Sequence, residues 1–82
     1  MNKLEIDFMI YSTKPKVLTF LISKIEGLFA PNYDALIDAL RFYSTPILLC
    51  LKNISFYEDK SNLLEILQII HRENPIFNYI VK

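Results

Sequence analysis

The stretch Pro46-Ile47-Leu48-Leu49-Cys50-Leu51 is apolar at every position and only six residues long. A short apolar run between turn signals is typical of a strand buried on both faces, and it is too short for an ordinary helix. We therefore expect it to be the central strand of a sheet, with the rest of the chain arranged around it.

Two further strands are predicted, one on each side of this run in the sequence. From Leu4 to Tyr11 the chain alternates, with Leu4, Ile6, Phe8 and Ile10 on one face and Glu5, Asp7, Met9 and Tyr11 on the other. Period two with one polar-leaning face indicates a strand at a sheet edge. Near the other end of the chain, residues 76–81 form a last apolar segment after the helix-terminating pair Asn74-Pro75, and we expect a strand there.

Three segments have the spacing of helices. The first is expected from about Pro15 to Glu26, closing at Gly27 as a left-handed C-terminal cap. The second begins after Asn32, the natural N-cap, and ends at Ser44-Thr45-Pro46. The third is expected to start at a capping box formed by Asn62 and Glu65 and to run to about Glu73. We expect Ile54, Phe56 and Tyr57, in the connection before the third helix, to pack against the domain.

The predicted order is strand, helix, helix, strand, helix, strand. Strands separated by helices require a parallel sheet with right-handed crossovers. The fold class is therefore α/β: a single domain over residues 1–82, with a three-stranded parallel sheet packed with three helices.

Composition excludes several classes of protein. Nine basic and nine acidic side chains give a formal net charge of zero, whereas nucleic-acid binders usually carry a basic excess. We therefore expect no nucleic-acid partner. No run of 18 apolar residues exists, two acids interrupt the first seven residues, and there is one cysteine. These features predict a cytoplasmic protein in a reducing compartment, with no membrane partner.

The sequence also lacks the residues of a catalytic centre. There is one histidine, one cysteine and one glycine, so a glycine-rich phosphate loop is impossible. Cys50 lies within the most apolar run, where a cysteine behaves as a small hydrophobe. His71 falls in the last turn of the third helix, where a cation suits the helix dipole. We expect no enzyme activity, no cofactor and no metal.

The second helix carries the candidate interaction residues. Asp34 and Asp38 are four residues apart, so their carboxylates project from one side of the helix, and Phe42 follows at the same spacing. Arg41, three residues after Asp38, is placed to pair with it. Acids bordered by aromatic rings can bind a basic partner. From the residues alone, a solvated helix face stays the alternative interpretation.

At this stretch the sequence resembles the barstar family of intracellular ribonuclease inhibitors. The similarity rests on Asn32-x-Asp34-Ala35-Leu36-x-Asp38-x-Leu40, followed by Tyr43 and by the strand that Pro46 opens. The segment Ile66-Leu67-Gln68-Ile69-Ile70 is similar to the family's third helix. The closing Tyr79-Ile80-Val81 is similar to its last strand.

The resemblance implies an immunity protein or antitoxin, monomeric when free, that blocks the active site of a basic ribonuclease or other nuclease toxin. Asp38 would occupy the place of a substrate phosphate, with Asp34 supporting it. The remaining partner-binding positions that the resemblance implies are Leu28, Phe29, Asn32, Arg41, Phe42 and Tyr43. The alternative hypothesis is a non-enzymatic interaction module or assembly subunit on the same fold, with no nuclease target. A small hydrolase using Cys50 or His71 is a distant third hypothesis.

Overall fold

The computed structural model describes residues 2–82, and its elements follow the predicted order. The strands are β1 (Asn2–Asp7), β2 (Ile47–Lys52) and β3 (Phe77–Val81). The α-helices are α1 (Lys14–Lys24), α2 (Tyr33–Arg41) and α3 (Lys60–Glu73), and one turn of 3₁₀ helix covers Ile54–Phe56. The three-stranded sheet and three helices of the predicted α/β fold are thus confirmed.

The sheet has the strand order β1-β2-β3, and both strand pairs are parallel. The apolar run of β2 is therefore the central strand, as predicted, and β1 lies at an edge. In the register, Leu4 and Tyr79 flank Leu49, while Ile6 and Val81 flank Leu51. Ile6, Leu49 and Leu51 consequently lie on one face of the sheet, and all three are at most 2% exposed.

All three helices cover that same face. With strands in sequential order, right-handed crossovers carry every connecting helix to one side of the sheet. The core agrees, because it joins the side chains of that sheet face to those of the helices. The helical members of this core are Val17 and Leu21 of α1, Leu36 and Leu40 of α2, and Leu63, Leu67 and Ile70 of α3.

The opposite face of the sheet is uncovered, which corrects the prediction that the central strand is buried on both faces. Lys3, Glu5 and Ile80 are exposed there, and Leu48 is half-buried. Cys50 is 0% exposed nonetheless, because Glu5 and Ile80 flank it in the register. A central strand can therefore be shielded by its neighbours without a second layer of helices.

The predicted first strand ends early, at Asp7 rather than at Tyr11. The Asp7 carboxylate accepts a hydrogen bond from the backbone N–H of Met9 at 3.0 Å. Its carbonyl accepts from the N–H groups of Ile10 and Tyr11, both at 3.0 Å. These bonds turn the chain, so that Phe8 enters the core while Ile10 is 64% exposed. The prediction that Ile10 shares a strand face with Ile6 and Phe8 was therefore wrong.

Two predicted helix termini need correction. Helix α1 ends at Lys24 with Ile25 as its C-cap, and Gly27, whose φ is 90°, makes a left-handed turn two residues beyond that cap. Helix α3 begins at Lys60 with Asp59 as its N-cap. Asn62 therefore lies in the first turn, where its side-chain amide donates to Asp59 Oδ1 at 2.8 Å. The capping box predicted for Asn62 and Glu65 was wrong.

The connection between β2 and α3 packs against the domain only in part. Tyr57 is 2% exposed and Ile54 packs against the core, as predicted. Phe56 is 57% exposed, so its predicted packing was wrong. Asn53 starts the connection with a left-handed backbone, φ 59°, a conformation that asparagine tolerates better than most residues.

Candidate functional site: the exposed face of α2

Helix α2 begins as predicted. The Asn32 side chain accepts a hydrogen bond from the backbone N–H of Ala35 at 2.7 Å, which satisfies one of the free donors of the first turn. Asn32 is exposed. Its amide N–H₂ donates no hydrogen bond within residues 2–82.

Tyr33 ties the start of α2 to the segment before α3. Its hydroxyl donates to Asp59 Oδ2 at 2.7 Å and lies 2.7 Å from the hydroxyl of Tyr57. Burial, together with these two hydrogen-bonded neighbours, raises the pKa of Tyr33 well above its ordinary value. The Lys14 ammonium lies 4.3 Å from the centre of the Tyr33 ring. These contacts fix the position of the first turn of α2 relative to α1 and to the segment before α3.

The end of α2 is held by α3. The Asn74 side-chain amide donates to the carbonyl oxygens of Leu40 at 2.8 Å and Tyr43 at 3.1 Å. Arg41 forms a two-bond ion pair with Glu73, with Nε–Oε2 at 2.8 Å and Nη2–Oε1 at 2.9 Å. Arg41 therefore pairs with Glu73 rather than with Asp38. The sequence could not show this, because Glu73 is 32 residues away.

Between these two anchored ends, α2 presents a row of three side chains to solvent. Asp34 and Asp38 are exposed, and Phe42 is 77% exposed. We call these three residues the α2 face. Successive members are four residues apart, which places their Cβ atoms about 5–6 Å from each other. Within residues 2–82, neither aspartate side chain makes a hydrogen bond or an ion pair.

A shallow cleft of about 410 Å³ borders the α2 face. Asp38, Ala39, Phe42 and Tyr43 line it from α2 and its C-terminal end, and Glu26 and Gly27 line it from the connection after α1. Glu26 therefore adds a further carboxylate to the lining of the cleft that Asp38 borders. Nothing in the sequence marked it, since Glu26 and Asp38 are 12 residues apart and only the fold places both at one cleft.

The predicted site residues do not all lie on this surface. Phe29 is 89% exposed in the segment before α2, and Tyr43 is half-buried against the core. Leu28 is 2% exposed and belongs to the core, so its side chain is not available at the surface.

The α2 face carries two carboxylates and an aromatic ring, and no histidine or cysteine. No group of three or more His, Cys, Asp or Glu side chains within the described residues is placed to hold a metal ion. His71 Nδ1 is 2.7 Å from the carbonyl oxygen of Phe77, so it serves to join α3 to β3. Cys50 lies across the sheet, away from the helices.

No helix in residues 2–82 is long and apolar enough to cross a bilayer.

Comparison with known proteins adds no relative. No protein-family model matches the sequence, and no curated protein matches it. The resemblance to the barstar family therefore remains a prediction that rests on the residues of α2 and its flanks.

Proposed function

We propose that this protein is a barstar-like inhibitor that blocks the active site of a basic ribonuclease with the α2 face. The observation that carries the proposal is that Asp34 and Asp38 are both exposed and have no partner among the described residues. The one basic residue of α2, Arg41, is held by Glu73. The helix therefore offers two free carboxylates to a partner although the whole chain is neutral.

In the proposed complex, Asp38 takes the place of a substrate phosphate among the basic groups of the nuclease. Asp34 lies one turn away and adds a second negative charge, and Glu26 adds a third at the edge of the cleft. Phe29 and Phe42 supply the apolar contacts. Charge pairs beside buried aromatic rings are where binding energy concentrates in interfaces.

The first prediction is that Asp38→Ala weakens binding to the nuclease by about 2–5 kcal/mol, the range for removing one member of a hydrogen-bonded charge pair. The free energy of unfolding should change by less than about 0.5 kcal/mol, because Asp38 is exposed and unpaired in the free protein. Titration calorimetry gives the first quantity and urea denaturation the second. Equal affinity in the wild type and the variant would contradict the mechanism.

The matched control is Glu65→Ala, which removes an exposed acid from α3. The target is found by a pull-down from lysate of the source cell, with the wild type and the Asp34→Ala/Asp38→Ala variant as baits. A basic nuclease that is captured by the wild type and by the Glu65 variant, but not by the double variant, supports the proposal. The captured enzyme should also lose its ribonuclease activity when the wild-type protein is added.

A second candidate function is an interaction module with no nuclease target. The observation that favours it is the exposure of Phe29, at 89%, and Phe42, at 77%, since aromatic side chains are typical anchors of protein interfaces. In that case Phe42→Ala should abolish capture of a non-nuclease partner, while the aspartate variants still bind it.

A further inference from the structure

The turn after β1 holds two large apolar side chains in solvent. Met9 is 61% exposed and Ile10 is 64% exposed, at positions where turns are usually polar. The turn is nevertheless well fixed, because Asp7 Oδ1 accepts from the Met9 N–H and from the Asn53 side-chain amide, each at 3.0 Å. Apolar side chains held outward by such bonds are preorganised for contact with another molecule.

An open groove of about 620 Å³ lies between this turn and α1. Tyr11 and Phe20 form an aromatic pair in its lining, with ring centres 4.6 Å apart. Ile10 lines the groove from the turn, and Lys16 and Ser23 line it from α1. The eight residues from Lys16 to Ser23 rise about 10 Å along the helix axis, which is about two helical turns. We call the open groove the lysine groove, and its lining residues are Ile10, Tyr11, Pro15, Lys16, Thr19, Phe20 and Ser23.

The charges that α1 contributes to the lysine groove are positive. Lys16 is the one charged residue of its described lining. The Lys24 ammonium lies 5.9 Å from the centre of the Phe20 ring. Helix α1 contains three lysines and no acidic residue. An apolar floor with lysines at its edge complements a segment that carries both apolar and acidic side chains.

We propose that the lysine groove docks a segment of a partner protein that is apolar on one side and carries Glu or Asp at its edges. This is a second interaction surface, and it shares no residue with the α2 face. A second copy of this chain is the less favourable occupant. One copy's α2 face on the next copy's groove is a head-to-tail contact, which gives a ring of several copies or an open chain instead of a two-fold dimer.

The test uses the full chain and a synthetic amphipathic peptide of about 14 residues, long enough to form a helix on a surface. The peptide carries leucines at helical spacing and glutamates elsewhere, and its control carries lysines in place of the glutamates. Amide chemical shifts of the isotope-labelled protein report where each peptide binds. We expect shift changes in residues 9–11 and 16–24 with the glutamate peptide, and at least tenfold weaker binding of the lysine peptide.

Two exposed substitutions locate the site. Ile10→Glu and Lys16→Glu should each weaken the glutamate peptide at least fivefold, whereas Lys60→Glu on α3 changes charge equally and should leave binding unaltered. Equal binding of both peptides, shift changes outside the groove, or no binding overturns the proposal. So does concentration-dependent sedimentation that is abolished by Lys16→Glu without any peptide, because the occupant would then be a second copy.

Discussion

At the scale of single residues, Asp7 has several local roles. Its carboxylate joins three segments: the end of β1, the turn that displays Met9 and Ile10, and the start of the connection after β2 through Asn53. The Asn53 amide and the Met9 N–H hold the pKa of Asp7 below its ordinary value, because both donate to the charged form.

A pH dependence follows from the direction of this shift. Since the folded pKa lies below the unfolded value of about 3.9, the contribution of Asp7 to stability is present above that value and is lost as pH falls through the folded pKa. We expect the free energy of unfolding, measured in urea, to fall less steeply with acidification in Asp7→Asn than in the wild type. Asparagine keeps the acceptor oxygen but has no charge to titrate.

The donor can be tested separately with Asn53→Gly. Glycine adopts the left-handed backbone of this position without strain but removes the side-chain amide. The pKa of Asp7, followed by the chemical shift of its carboxyl carbon, should rise towards the ordinary value in this variant. An unaltered pKa would show that the amide is not its main cause.

At the scale of elements, α2 is hydrogen-bonded at both ends to residues that flank α3. Tyr33 bonds to Asp59 at the start of α2, and Leu40 and Tyr43 receive the Asn74 amide at its end. The propensity of nine residues does not by itself support a stable isolated helix. The α2 face is therefore presented by a helix whose position depends on α3.

Loss of the hydrogen bonds from Asn74 to the end of α2 should lower the stability of the protein measurably. Asn74→Ala removes the donor from two carbonyl oxygens at the end of α2, and we expect it to lower the free energy of unfolding by about 1–2 kcal/mol. The matched control is Asn78→Ala, because its amide makes only a 3.5 Å contact to Pro75 and is exposed. Faster amide hydrogen exchange at the end of α2 should accompany the loss in Asn74→Ala and not in the control.

At the scale of the whole molecule, the sheet has one layer of helices. Parallel sheets are usually covered on both faces, yet here one face carries Lys3, Glu5 and Lys52 around a row of apolar residues. The Lys3 ammonium is 3.3 Å from Glu5 Oε1. The aliphatic parts of such long side chains can shelter apolar neighbours while their charges stay in water.

Because the flanking side chains shield Cys50, we expect thiol reagents to modify it slowly. The thiol is 0% exposed although no helix covers it, so a thiol reagent should reach it only when the strands open locally. We expect its modification to be at least about a hundredfold slower than that of a surface cysteine. This ratio corresponds to an opening free energy of about 2.8 kcal/mol. The reference is Ser61→Cys in a Cys50→Ala background. Equal rates would show that the flanking side chains do not protect the thiol.

The sequence alone determined the type and order of the elements, the central position of β2, the Asn32 cap and the placement of Asp34, Asp38 and Phe42 on one side of a helix. Each of these follows from periodicity or from contacts within a few residues. The tertiary structure decided what depends on distant pairs: Arg41 with Glu73, which leaves Asp38 exposed, Tyr33 with Asp59, Glu26 and Asp38 at one cleft, and Leu28 in the core. It also decided the uncovered sheet face and the lysine groove, because the path of the chain, and not local spacing, sets which side of a strand is covered.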